Sequence, residues 1–347
     1  MFFASDNSGP VHPRIMAALG DANSGFQMAY GADTLMGEVR QSLRDLFEAP
    51  GAAVYLVATG TAANALALAT LANPWETVFC SPVAHIHEDE CNAPEFYTGG
   101  AKLTLVGQAD RMTPDALQAA IAAEETRGVH GPQRGPVSIT QVTERGTVHS
   151  LDELRALTAV AREFSLPVHM DGARFANALV ALGCSPAEMT WKAGIDAVSF
   201  GGTKNGCMGV EAVIFFDPDK SREFELRRKR AAQLFSKHRY LSAQMAGYLQ
   251  DGLWLDMAGR ANANCARLVA GLRAGGAEIL HSPDANMVFA ALPRHVHRRL
   301  QAAGAAYHLW GGQLEGEDEN EPVAARFVCD WSIPEAAIDR FLGLVRG

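Results

Sequence analysis

The sequence predicts an α/β protein: a mostly parallel, doubly wound sheet in a large domain, followed by a smaller C-terminal α/β domain. Two observations carry this reading. Short apolar runs alternate with helical patterns through the first two thirds of the chain, a rhythm that covers both faces of a parallel sheet. After about residue 240 the pattern changes to a long helical stretch and then to short strands with helices. No linker separates the halves, so we expect an arm and large domain over 1–245 and a small domain over 246–347.

The opening 25 or so residues, with Gly9, Pro10 and Pro13, read as an arm entering a short helix. EVRQSLRDLFE (38–48) has apolar positions at helical spacing. AAVYLVATG reads as a buried strand ending in glycine, and TAANALALATLA as the apolar helix after it. TVFC (77–80) and KLTLV (102–106) are short strands. TPDALQAAIAAEE (113–125) is a helix with a threonine cap and proline at its first position. PVSITQ (136–141), the helix SLDELRALTAVAREF with Ser150 and Glu153 as a capping box, and LPVHMD form a βαβ unit. IDAVSF and VEAVIFF are further strands, and EILHSP, ANMVFAAL, ARFVCDW and PEAAIDRFLGLV build the second unit.

With 347 residues, 48% hydrophobic and 20% charged, the chain has the composition of a soluble globular protein. A net charge of −9 argues against a nucleic-acid partner. We expect no signal peptide, because MFFASDNSGP lacks a basic segment and an apolar core. No run is long and apolar enough for a membrane span. Six scattered cysteines without a CxxC pair read as reduced thiols in a cytoplasmic protein.

Three places carry candidate chemistry. Lys204 stands in SFGGTKNGC, after a buried strand, where small neighbours would leave room for a bulky planar adduct. Asp171 and Arg174 close the strand LPVHM, and ligands of doubly wound sheets bind at the C-terminal ends of strands. An amine, a carboxylate and a cation so disposed meet the needs of a pyridoxal phosphate enzyme: a Schiff-base lysine, a partner for the pyridine nitrogen and a cation near the phenolic oxygen. Gly60 and Thr61 open a helix whose N-terminus suits a phosphate. Each has a plainer reading as a loop lysine, a local Asp–Arg pair or a capped turn.

AHIHEDEC (84–91) offers His85, His87, Glu88 and Glu90, but their spacing fits no familiar zinc pattern, and we expect no metal. The helix PRHVHRRL reads as basic and exposed, with His295 and His297 at the surface, and EGEDENEP (315–322) as a solvated loop. RRKRAAQLFSKHR (227–239) is either a solvated helix face or a segment reaching a phosphate across a subunit interface.

In order along the chain, FASDNSG, AYGAD, ATGTAANALAL, SPVAHIHEDECNAPE, TQVTERGTVHSLDEL, HMDGARFANA, SFGGTKNG and ARFVCDW resemble the low-specificity L-threonine aldolases. The resemblance implies a fold type I, aminotransferase-like architecture, pyridoxal 5′-phosphate as cofactor and a homotetramer with sites shared between subunits. It implies that Lys204 joins the cofactor, Asp171 pairs with the pyridine nitrogen, Arg174 neighbours the phenolic oxygen and His85 stacks on the ring. Gly60, Thr61 and Thr203 would hold the phosphate. Arg326 would clamp the substrate carboxylate, a task suited to a bidentate guanidinium, with Ser5 assisting. His130 takes the position that meets the β-hydroxyl, and Tyr30 and Arg239 reach a neighbouring site. Before Arg239 the family's usual glycine-rich run is replaced by AAQLFSKHR.

The implied reaction is retro-aldol cleavage of L-threonine, L-allo-threonine and related β-hydroxy amino acids, phenylserine among them, to glycine and an aldehyde. His85, His130 or a water held by either could serve as base. The same lysine–aspartate frame also serves β-eliminating lyases and aminotransferases, and an inherited fold can survive as a mere binding protein.

Overall fold

A computed structural model describes all 347 residues. Its strands are β1 Ala53–Val57, β2 Glu76–Cys80, β3 Lys102–Leu105, β4 Gln133–Thr140, β5 Val168–Gly172, β6 Ala197–Gly201, β7 Glu211–Phe215, β8 Glu278–His281, β9 Met287–Pro293, β10 His308–Leu309 and β11 Pro322–Val328. The large sheet runs β1-β7-β6-β5-β4-β2-β3. Strands β2 to β6 pair parallel, as the alternation predicts. β7 lies antiparallel to β6 and β1. The connection at 202–210 is too short for a crossover helix, so the chain can only turn back.

Local signals place the covering helices. Thr113 Oγ1 accepts the Ala116 N–H at 3.3 Å, and Pro114 opens Pro114–Ala123. The Ser150–Glu153 box closes reciprocally at 3.2 and 2.7 Å on Leu151–Glu163. Gly60–Leu71 is apolar all round and buried against the sheet.

The second sheet, β10-β11-β9-β8, is antiparallel throughout. β10 has two residues, too few to show alternation in the sequence. Although the sequence reading groups the arm with the large domain, the arm's first residues pack on this second sheet. Phe3 donates its N–H to the Ala306 carbonyl at 2.7 Å, and Val328 donates to the Phe3 carbonyl at 2.8 Å. The Phe3 side chain is fully buried with Phe327 and Phe341. Leu253–Ala274 joins the two cores: Trp254 and Met257 pack in the larger one, Cys265, Leu268 and Leu272 in the smaller.

The helix Arg294–Ala302 differs from expectation. His297 is not a surface residue; it is fully buried, with Nδ1 2.9 Å from Tyr307 Oη and Nε2 2.9 Å from the Val323 carbonyl. Arg294 is buried too, donating to the carbonyls of Gln313 (2.6 Å), Glu315 (2.5 Å) and Asp318 (3.1 Å) and to the Glu321 carboxylate. The exposed acidic loop is therefore held from beneath by a basic helix. Arg294→Ala should release residues 311–321, seen as new cleavages there in limited proteolysis while the remaining chain stays resistant.

Candidate active site

Parallel pairing brings four strand ends level. Thr140 of β4 is in register with Asp171 of β5, and Asp171 with Ser199 of β6. β2 ends beside β4 and leads to His85. His85, Asp171 and Lys204 thus meet at one edge of the sheet, where such folds bind ligands.

Lys204 sits half-buried in the single turn Thr203–Asn205. The backbone itself requires the glycines before it. A Cβ on Gly201 would lie 2.5 Å from the Ala173 carbonyl oxygen, and one on Gly202 2.7 Å from that of Val210. Glu211 fixes the turn from below: its carboxylate accepts the Gly202 N–H at 2.8 Å, and Thr203 Oγ1 accepts the Val210 N–H at 3.2 Å. Burial, then the positive charge of Arg174, lowers the Lys204 pKa and favours the neutral amine. Burial pushes Glu211 up to about 7.

Asp171 is buried, with Oδ2 accepting from Asn64 Nδ2 at 2.8 Å and Oδ1 from the Ala173 N–H at 3.0 Å. Asn64 Nδ2 also donates to Glu90 Oε1 at 3.0 Å, and that oxygen lies 2.9 Å from His85 Nδ1. One amide therefore ties the Asp171 carboxylate to the His85 ring through Glu90. The bond from Glu90 raises the His85 pKa against the effect of burial, and burial raises that of Glu90. Behind Asp171, His169 bridges Ser138 and Ser199 at 3.0 Å each, and burial lowers its pKa to about 4, leaving the ring neutral.

Arg174 makes two bonds to Asp6, 2.6 Å from Nε and 3.0 Å from Nη2. Burial opposes its charge, but Asp6 outweighs burial and the Arg174 pKa is raised. Arg326, on β11, reaches the Ala4 carbonyl at 3.4 Å and lies 5.7 Å from the Trp310 ring centre. Its Nε is buried without a partner. Ser5 caps the following turn, accepting the Asn7 N–H at 3.1 Å.

Thr59 caps Gly60–Leu71, accepting the Ala62 N–H at 3.2 Å. The first-turn N–H groups of Gly60 and Thr61 have no acceptor within the helix. Space is open at the Gly60 Cβ position.

Three predicted residues do not join this cluster within one chain. His130 is exposed in the turn Gly128–His130, before β4 begins at Gln133. Strand rise puts Gln133 about 23 Å from Thr140, so His130 lies at the opposite edge of the sheet. Tyr30 is half-exposed, its N–H donating to the Ser236 carbonyl at 3.2 Å. Arg239 donates to the Gly25 carbonyl at 3.0 Å. Both lie on a surface that also bears exposed Phe26 and Met28.

Residues 3–294 match the beta-eliminating lyase family. A low specificity L-threonine aldolase of Pseudomonas aeruginosa is 42% identical over 347 residues, 99% of this chain and 96% of that one. Another, from a further Pseudomonas strain, is 41% identical over the same shares. The chain belongs to the low-specificity L-threonine aldolase family. The family uses pyridoxal phosphate. Leishmania major threonine aldolase superposes with a TM-score of 0.91 at 24% identity, covering 99% of this chain and 98% of that one, a likeness of fold.

The residues present fit the family's cofactor. The amine of Lys204, the doubly held Asp171 carboxylate and the unfilled N–H groups at Gly60 supply a complementary donor and acceptor set. Asn64, Glu90 and Asp6 gave no sequence signal for these roles. Asn64 is one polar residue on an apolar helix, and Asp6 meets Arg174 only through the arm's fold.

Asn64→Ala should remove a donor from two buried carboxylates and cost about 1–3 kcal/mol in urea unfolding. Glu90→Gln should lower the His85 pKa, measured by NMR titration of the ring.

Proposed function

We propose that this protein cleaves L-threonine, L-allo-threonine and related L-β-hydroxy-α-amino acids to glycine and an aldehyde, using pyridoxal 5′-phosphate. The observation that carries the reading is the meeting of Lys204, Asp171 and His85 at one sheet edge, with Arg326 held there by the small sheet. The cofactor, when bound, supplies an electron sink for the pair released from Cα–Cβ. Lys204, its charge disfavoured by burial, is the point of attachment. Asp171, whose carboxylate accepts two N–H donors, is the candidate to retain a proton on the pyridine nitrogen. Gly60, Thr61 and Thr203 are candidates for the phosphate, and His85 for the ring face. Arg326 receives the substrate carboxylate and so sets which Cα bond is aligned for cleavage. Pocket discrimination of a methyl group is worth only about 1–3 kcal/mol, which favours a broad range of aldehyde side chains.

The same reading has the chain work in the cytoplasm as a homotetramer with shared sites. Tyr30 and Arg239, beside exposed Phe26 and Met28, and His130, at the far sheet edge, would then serve a neighbouring copy.

The purified protein should release acetaldehyde and glycine from L-threonine, and Lys204→Ala should abolish this. Pyruvate and ammonia without aldehyde would favour the β-eliminating alternative. Refolding Lys204→Ala together with His130→Ala should restore activity that neither variant has alone, by assembling intact shared sites.

A further inference from the structure

Between the strands that deliver His85 and Asp171 lies β4, whose end has so far been given no chemical role. Four residues past that end stands Glu144. Its Oε1 accepts the His85 backbone N–H at 2.9 Å, and its Oε2 is enclosed without a hydrogen-bond partner. The short helix His85–Glu88 has no cap from its own N-cap side chain, so Oε1 serves as that cap from across the site. Capping explains one oxygen. An enclosed, unpartnered carboxylate oxygen is costly unless something comes to it.

We infer that Glu144 accepts the proton of the substrate β-hydroxyl during Cα–Cβ cleavage, which makes it the catalytic base. This rests on the aldolase reading above. The hydroxyl proton passes to Oε2, and the O–H pair becomes the second bond of the aldehyde C=O. The Cα–Cβ pair leaves on the glycine carbon, where a proton replaces Cβ, and Glu144 returns its own proton to solvent.

The groups facing Glu144 suit this role. From the β2 side come His85 and Cys80, and from the β5 side Asp171 and Arg174. Burial, then the negative charge of Asp171, pushes its pKa up to about 7. A carboxylate so tuned is a stronger base than an exposed one and still ionises near neutral pH. His85, placed for the ring face, need not also move the proton.

Glu144→Gln separates the two roles, because glutamine keeps the carbonyl that caps His85 and loses the basic oxygen. The wild-type kcat should rise with pH through about 7. In Glu144→Gln we expect kcat to fall roughly 100-fold or more, with that limb gone and KM little changed. Infrared titration of the apoprotein should show carboxyl intensity near pH 7 from Glu144 and Glu211, of which the Glu144 share is lost in Glu144→Gln while the Glu211 share, removed by Glu211→Gln, remains. A variant with wild-type kcat and pH profile would reduce Glu144 to a cap. Should Glu144→Gln fold poorly, Glu144→Asp should keep the pH limb at lower kcat, and an unchanged kcat there overturns the assignment. Wild-type protein that releases no aldehyde would defeat the aldolase reading itself, a result distinct from either.

Discussion

The level register of β2, β4, β5 and β6 is the constraint on which the site depends. Parallel strands must be joined by crossovers, and each crossover delivers the next loop to the same sheet edge. Thr140, Asp171 and Ser199 lie side by side in that register. One residue of slip in β5 would turn Asp171 to the opposite face and exchange it for Met170, which is fully buried in the large core. Core packing and site chemistry are therefore fixed by the same pairing.

Holding charged groups at a buried edge is expensive, and the partners that offset the cost come from distant elements. Asp6, in the arm, neutralises Arg174 after β5, and Asn286, before β9, donates to Asp6 at 3.1 Å. The arm, the large sheet and the small sheet are thus tied by one polar junction. Truncating either member of such a buried pair typically costs about 3–5 kcal/mol, because the other charge remains enclosed. Stability and the geometry of the site are coupled at this point.

The sequence made the parallel sheet legible because its signals are local: apolar runs, Gly60 after a strand, Ser150 three residues before Glu153. It exposed Lys204 and Asp171 for a related reason, since charged residues directly after buried strands stand out. The supporting shell was not legible in this way. Asn64 meets Glu90 and Asp171, and Arg294 meets Gln313 and Asp318, only after the chain folds. His297 lies in a basic helix, yet the small sheet buries the one face on which it sits. His130 and Tyr30 were identified by family resemblance alone, Arg239 by that and by its basic segment, and a single chain does not bring them to Lys204.

The distribution of donors explains what the edge can receive. Arg174, although central, gives Nε and Nη2 to Asp6, which offsets its charge, while Nη1 keeps its own donors. Two further donor sets are open: Arg326 Nε, enclosed and unpartnered, and the first-turn N–H groups at Gly60. They come from different sheets, one from β11 and one from the helix after β1. A ligand with two anionic ends satisfies both only when the small sheet stands against the large one, as the continuous helix Leu253–Ala274 and the docked arm require. On the proposed reading, substrate carboxylate and cofactor phosphate would answer that pattern together. The buried acids around them add a second constraint, because Glu144 and Glu211 sit near neutrality and shed negative charge when protonated, while Asp171 keeps two N–H donors. The edge can thus vary its charge by proton uptake at two carboxyls without disturbing the donors that hold Asp171 in place.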